Sequence, residues 1–321
     1  MSYESFKNYI VQNLQQQLQG VEIRVNKVRK NNGIELDSLT IQEAGIIITP
    51  CIYLNQYYKQ FQQGLSVQNI TTEICSKYKE FKENSKYIKN DNYADYFKDF
   101  TIASEHIVFK LVNFEKNKRL LEDVPFTRFL DLAIVYMFLA KEEDDSVGTV
   151  LIRNEHIQMW NVTVNKLHEY AMLNTPRLMP VKLKSMEEVL QELFGQPKES
   201  MEGERNLDSN MYILSNSKGI HGASTILYPG VLGNFAHRSN EDIKQLYILP
   251  SSIHEVILLP CTQTLNVMQL QQMVEETNQT QVPQDEILSD SIYVYSVKED
   301  RIFLADGRIY NHTELIQENC I

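Results

Sequence analysis

The sequence contains few of the residues that usually reveal a function. Its 321 residues include four cysteines, one tryptophan, 12 glycines and nine prolines. The cysteines are far apart and form no C-x-x-C pair, so they predict neither a zinc site nor a redox-active disulfide. With little glycine and proline and 43% hydrophobic residues, the composition is not that of a disordered or fibrous protein.

Basic residues are also fewer than acidic ones. The chain has 31 lysines and arginines against 42 aspartates and glutamates, which gives a net charge of −11. Such a surface repels phosphate backbones, so we expect no non-specific binding to nucleic acid and no attraction to anionic membranes. Solubility is the simplest explanation of the excess acid. A basic protein partner, or mimicry of DNA towards a DNA-binding protein, is the alternative.

Long hydrophobic runs are absent as well. No stretch approaches the roughly 18 unbroken apolar residues of a membrane helix, and the first residues lack the basic and apolar regions of a secretory signal. We therefore expect a cytoplasmic protein without a membrane partner. The length exceeds the size at which a single core is the default, so two domains or one divided domain are expected.

Hydrophobic spacing predicts the structure of the first hundred residues. Apolar residues at three- and four-residue steps over residues 3–18 predict a helix that stops at Gly20. Alternation on both sides of the turn at residues 31–33 predicts a β-hairpin. Helices are expected over residues 53–63 and after Ser66, which suits an N-cap. Residues 1–100 are thus predicted to form a module of helix, hairpin and helices.

Beyond residue 100 the pattern becomes mixed. Strands are expected at residues 107–112 and 129–140, followed by a helix at residues 162–173 that ends at residues 174–177, because Pro176 does not continue a helix. A similar order returns later in the chain. Its predicted elements are a strand at 212–214, a helix at 223–236, strands at 246–249 and 253–259, and a helix at 265–274.

These elements predict an α+β fold. The N-terminal module is followed by two βαββα-like units with mostly antiparallel sheet, and the second unit ends in a hairpin at residues 292–304. The predicted boundaries are 1–100 for the module, 101–195 and 211–310 for the two units, 196–210 for a linker and 311–321 for a tail. Whether the two units share one sheet, and whether they arose by duplication, is left open.

Two histidines are the weak candidates for catalysis. His221 and His254 lie beside turn residues in an apolar unit, and Ser252 and Glu255 supply the other parts of a nucleophilic triad. If residues 253–259 form a strand, however, His254 and Glu255 point to opposite faces. The alternative is structural: Pro250-Ser251-Ser252 forms a turn whose hydroxyls bond the local backbone.

The segment around His221 is also a candidate anion site. It lies between a predicted strand and a predicted helix, where free N–H groups attract phosphate or carboxylate. The residues concerned are Gly219, Gly222, Ala223 and Ser224. They lack the lysine of a Walker loop and the spacing of G-x-G-x-x-G, so a tight turn into a capped helix is the alternative. No cofactor and no metal ion is expected.

Several patches resemble a known family. They include Gly219-Ile220-His221-Gly222-Ala223, residues 227–232, residues 249–257, residues 31–37 and residues 290–293. Through them the chain resembles the bacterial family catalogued as domain of unknown function 5688, over most of its length. The resemblance implies a gut-bacterial setting, often near mobile elements, and no established activity, cofactor or partner. Trp160-Asn161-Val162-Thr163 and the later βαββ unit are more remotely similar to domain of unknown function 1444, which implies a shared α+β core.

The function predicted from the sequence is binding to an unidentified protein partner. This prediction rests on the acidic surface and on the lack of a specific catalytic or cofactor motif. One alternative is a hydrolase or phosphate-handling enzyme that uses His221 and His254. A third is an acidic DNA mimic that acts against host defence. The sequence leaves the oligomeric state open.

Overall fold

The chain divides into two compact units, Met1–Tyr96 and Phe97–Ile321. The computed structural model describes residues 1–43, 51–84, 97–140, 148–194, 211–238, 243–261 and 266–305. The segments expected as linker and tail, 196–210 and 311–321, lie outside the described residues. Residues 1–96 contain 10 acidic and 11 basic residues, so all of the net negative charge belongs to the second unit.

The first unit contains a helix, a small antiparallel sheet and two further helices. The strand order in its sheet is β1-β2-β3. The elements are α1 (Tyr3–Gln17), β1 (Val21–Arg29), β2 (Glu35–Glu43), β3 (Ile52–Tyr53), α2 (Leu54–Gln62) and α3 (Val67–Asn84).

Local signals explain these elements. The Ser2 hydroxyl caps α1 by accepting a hydrogen bond from the backbone of Ser5, and the Ser66 hydroxyl accepts one from Asn69 at the start of α3. Helix α1 ends at Gln17, and Gly20, with a positive φ of 74°, lies in the turn that leads into β1. The central residues of the apolar stripe of α1 are buried in a core that they share with residues of β2 and α3. The side chains with 0% exposure in this core include Phe6, Ile10, Leu14, Leu39, Ile70 and Ile74.

The second unit begins with a four-stranded antiparallel sheet. Strand β6 is central, with β4 on one side and β5 and β7 on the other. The elements are α4 (Phe100–Ala103), β4 (Ile107–Asn113), α5 (Lys118–Leu121), β5 (Phe126–Phe129), β6 (Leu132–Ala140), β7 (Gly148–Leu151), α6 (Asn154–Trp160) and α7 (Val164–Leu178).

Two predicted boundaries in this region are wrong. The strand expected at residues 129–140 begins only at Leu132, and Phe129 belongs to β5, because the chain reverses at Leu130, which has a positive φ of 55°, and Asp131. Helix α7 does not end before Pro176 but runs to Leu178. Pro176 lies in the last turn, so it removes a single N–H donor and the helix ends two residues later. The neighbouring Thr175 hydroxyl also ties this turn to the backbone of Phe109.

A six-stranded antiparallel sheet completes the second unit. Its strand order is β13-β12-β10-β11-β9-β8. The elements are β8 (Val181–Ser185), α8 (Met186–Phe194), β9 (Tyr212–Asn216), α9 (Val231–Arg238), β10 (Gln245–Pro250), β11 (Val256–Pro260), α10 (Val267–Thr280), β12 (Tyr293–Ser296) and β13 (Arg301–Leu304). The α+β class with mostly antiparallel sheet is therefore confirmed. Among the described helices, none combines the length and hydrophobicity that a membrane span requires.

The two sheets of the second unit share one hydrophobic core. Phe109 and Tyr136 from the first sheet belong to the same buried cluster as Leu214, Ile248 and Tyr293 from the second sheet. Strand β8 lies within the predicted unit 101–195 but pairs with β9 of the predicted unit 211–310. The described part of the second unit thus contains two separate sheets, and the chain passes from the first sheet to the second before β8, not at residue 196. Each sheet buries apolar side chains against the other.

A polar contact crosses this core. The Tyr293 hydroxyl donates to Asp131 Oδ1 at 2.8 Å, and the Ser289 hydroxyl lies 2.6 Å from Asp131 Oδ2. Tyr293 is fully buried, and burial holds the pKa of its phenol well above the usual value. Asp131 therefore links the β5–β6 turn of one sheet to the start of β12 in the other.

Candidate functional site

His221 lies in a tight turn that follows β9. Asn216, the last residue of β9, is buried and holds this turn: its side-chain amide donates to Ile220 O at 2.7 Å and its Oδ1 accepts from Lys218 N at 3.0 Å. Gly219 adopts a positive φ of 67°, and His221 also adopts a left-handed conformation with a φ of 52°. Left-handed backbone is uncommon outside glycine, so this conformation depends on the surrounding contacts.

Gly222 is packed too tightly for any other residue. A Cβ atom at this position would lie 2.2 Å from Ser215 Oγ, 2.4 Å from His254 O and 2.8 Å from Asn216 N. The Ser215 hydroxyl also donates to His254 O at 2.8 Å. The glycine therefore allows the turn after β9 to contact the loop that contains His254.

The loop that carries His254 joins β10 to β11. The Ser252 hydroxyl accepts a hydrogen bond from His254 N at 3.0 Å, and Ser252 N donates to Glu255 O at 3.2 Å. Strand β11 begins only at Val256, so the strand predicted to start at residue 253 is three residues too long. Strand alternation does not apply to His254 and Glu255, because both lie in a turn closed by local hydrogen bonds.

The structure places the two histidines side by side. Their ring centroids are 5.8 Å apart, the rings are 17° from parallel, and His221 N donates to His254 Nδ1 at 3.2 Å. His254 Nε2 lies 3.8 Å from Glu286 Oε1, and these two side chains are 30% and 40% exposed. The nearby carboxylate thus belongs to Glu286, a residue that sequence reasoning missed. An imidazole beside a carboxylate at the surface can exchange a proton with a bound molecule.

The backbone around the candidate anion site already has protein acceptors. Ala223 N donates to Ile253 O at 3.3 Å, and Ser224 N donates to His221 O at 3.2 Å. The Ser224 hydroxyl donates to the same carbonyl at 2.8 Å. The helix predicted over residues 223–236 is a 3₁₀ helix at Gly222–Leu227 followed, after Pro229-Gly230, by α9. Anion binding here stays a prediction, and these contacts leave fewer N–H groups for it than a regular helix start offers.

No metal site stands out in the part of the chain that the structure describes. No three histidine, cysteine or acidic side chains converge there in a way that suits a metal ion.

An apolar surface that sequence reasoning missed lies at the edge of the six-stranded sheet. Helix α8 has no buried residue, although its apolar side chains recur at three- and four-residue steps. We call its exposed part, together with the adjoining strand, the β8–α8 surface. It comprises Val181 (45% exposed), Leu183 (41%), Leu190 (40%), Leu193 (70%) and Phe194 (70%).

One local signal marks the start of α8. Ser185 and Glu188 form a capping box: Glu188 N donates to the Ser185 hydroxyl at 3.1 Å, and Ser185 N donates to Glu188 Oε2 at 2.8 Å. The spacing Ser-x-x-Glu before an apolar run was the signal that sequence reasoning overlooked.

Comparison with known proteins gives one match. A family model covers residues 3–297, and its description is Family of unknown function (DUF5688). No curated protein and no solved structure shows significant similarity to the chain. The comparisons do not support the more remote likeness to domain of unknown function 1444.

Proposed function

The chain belongs to the DUF5688 family, and we propose that it works in the cytoplasm as an interaction protein that binds another protein through the β8–α8 surface. The observation that carries this proposal is the exposure of Leu193 and Phe194, both 70%, on a helix without any buried residue. A regular apolar stripe that a helix leaves in water is typical of a binding surface rather than of a finished fold.

The shape of α8 suits binding by one side of the helix. Met186, Val189, Leu190, Leu193 and Phe194 follow the spacing i, i+3, i+4, i+7, i+8, so they form one stripe. The remaining four residues are acidic or amide residues and lie on the other side. Full burial of a leucine or phenylalanine side chain contributes about 1.5–3 kcal/mol, so Leu193 and Phe194 alone can supply much of the free energy of a specific contact.

The helix is held in place while Leu190, Leu193 and Phe194 of its stripe are exposed. Its N-terminus is fixed by the capping box at Ser185, and Glu192 forms an ion pair with Lys184 of β8. An ordered helix has already lost its backbone entropy, so a partner meets a preformed surface. Both anchors use the polar side of α8, which leaves the apolar stripe for a partner.

A photo-crosslinking residue in place of Phe194 tests the proposal. In cells that naturally make the protein, we expect one discrete adduct, identified by mass spectrometry and then reconstituted from the two purified proteins. The matched control carries the same crosslinker in place of Met268, which is 79% exposed on α10. The Met268 variant should give no adduct of that mass.

A second substitution separates binding from folding. Leu193→Glu places a charge in the stripe, and we expect it to weaken the reconstituted complex at least about tenfold while the melting temperature stays unchanged, because Leu193 is exposed. The proposal fails if no adduct is specific to position 194, or if Leu193→Glu leaves the complex intact.

A second candidate function is acid–base catalysis at the histidine pair. The observation that favours it is the 5.8 Å separation of the His221 and His254 rings beside the Glu286 carboxylate. We expect turnover of chromogenic phosphate esters or carboxylic esters, lowered about 100-fold or more by His254→Gln. His237→Gln, at an exposed histidine of α9, is the control. The enzymatic alternative is excluded if no ester is turned over above background, or if both variants lose activity equally.

A further inference from the structure

Strand β8 is the last strand of the six-stranded sheet in the described part of the chain. Its ladder to β9 is extended at both ends by backbone hydrogen bonds, from Ser217 N to Pro180 O at 2.7 Å and from Met186 N to Met211 O at 2.8 Å. Both pairs are in register with the rest of the ladder. In antiparallel sheets alternate residues bond to the same neighbour, so the even-numbered residues of β8 bond to β9.

The odd-numbered residues of β8 therefore direct their N–H and C=O groups away from β9. The N–H of Ser185 agrees with this direction, because it donates to Glu188 Oε2 at 2.8 Å and not to a residue of β9. The other outward-facing N–H and C=O groups of β8 belong to Val181 and Leu183. Their side chains are 45% and 41% exposed, so the edge is open to a molecule from outside.

The side chains of β8 alternate between an apolar and a basic face. Leu183 lies opposite Leu214, a residue of the buried core, so Val181 and Leu183 continue the core face of the sheet to its rim. Lys182, between them, points to the other face and is exposed. Lysines at an edge discourage pairing with arbitrary strands, so a strand that carries a complementary acid is favoured over others.

We propose that the partner contributes an extended segment which adds to β8 as a seventh, antiparallel strand. The segment carries an acidic residue between two apolar residues: the acid lies opposite Lys182, and the apolar side chains lie opposite Val181 and Leu183. Backbone hydrogen bonds provide the affinity, and the ion pair between Lys182 and the acidic residue provides the sequence specificity. This inference rests on the proposed function and specifies how the β8–α8 surface is used.

A short peptide tests strand addition directly on the full chain. The probe is acetyl-Thr-Val-Glu-Val-Thr-amide, and we expect saturable binding with a Kd on the order of 0.1–1 mM, since a few backbone hydrogen bonds carry it. Methylation of both valine nitrogens should weaken binding at least about tenfold, because it removes the donors. Backbone amides of Val181 and Leu183 should show the largest changes in NMR shift.

A charge exchange tests the role of Lys182. In Lys182→Glu we expect the Val-Glu-Val peptide to bind at least about threefold more weakly and a Val-Lys-Val peptide at least about threefold more tightly. Lys298→Glu, at an exposed lysine of the β12–β13 turn, should leave both affinities unchanged.

Three outcomes overturn the inference. The first is equal affinity of the methylated and unmethylated peptides. The second is an unchanged preference for the Val-Glu-Val peptide over the Val-Lys-Val peptide in Lys182→Glu. The third is a dimer in light scattering that dissociates in Val181→Pro, which would mean that a second copy of the protein occupies the edge of β8. If the peptide does not bind but the crosslink at position 194 is found, strand addition is wrong and the proposed function stands. If the peptide binds and no crosslink is found, the proposed function fails on its own test.

Discussion

Replacement of Gly222 with alanine is expected to destabilise the second unit by about 3 kcal/mol, the upper end of the usual cost of overpacking. The added Cβ would lie 2.2 Å from Ser215 Oγ and 2.4 Å from His254 O. The serine side chain can rotate away, but the carbonyl of His254 cannot move without disturbing the loop between β10 and β11. Thermal unfolding should show a fall in melting temperature of about 6–12 °C.

Gly219→Ala is the matched control. Gly219 has a positive φ of 67°, yet nothing lies within 4 Å of the position that its Cβ would take. Only the strain of a left-handed alanine is added, so the cost should be about 1 kcal/mol. Equal losses in the two variants would mean that the approach of the two loops at Gly222 is looser than the structure indicates.

Asp131→Ala is expected to cost about 3 kcal/mol, because it removes the acceptor shared by Tyr293 and Ser289. The Tyr293 hydroxyl would remain buried in the core without that partner, and an unsatisfied buried donor is more costly than the bond itself. The free energy of unfolding in urea measures the effect. Asp123→Ala, at an exposed aspartate of the same unit, should change it by less than about 0.5 kcal/mol.

A double-mutant cycle isolates the contact. In the Asp131→Ala background, Tyr293→Phe should cost about 1–2 kcal/mol less than it does in the natural sequence, since the hydroxyl has already lost its acceptor. Additive losses would show that Asp131 and Tyr293 contribute to stability independently, contrary to the 2.8 Å hydrogen bond between them.

Elements with a complete local signal could be predicted from the sequence. Helix α1 has both a regular apolar stripe and a glycine stop, and the β12–β13 hairpin has two alternating segments around a polar turn. The α+β class follows from such elements. The break within residues 223–236 could also be anticipated, because Pro229-Gly230 interrupts the helical pattern.

Other features depend on contacts that no local pattern contains. The β5–β6 turn at Leu130-Asp131 has neither glycine nor proline, and burial on both faces hides the alternation of β6. The sequence of β8 does not predict a buried strand, because Lys182 and Lys184 alternate with its apolar residues. Glu286 reaches His254 across 32 residues of sequence, so its part in the candidate site depends on tertiary structure alone.

The shared core of the second unit has a consequence for synthesis. When a ribosome has released the first sheet and the helices α6 and α7 that follow it, the other residues of the shared core, from Leu214 to Leu304, have not yet emerged. Until then the core around Phe109 and Tyr136 is incomplete, and a nascent chain that exposes apolar surface is prone to aggregate. The core of the second unit is thus completed only after Leu304 has emerged.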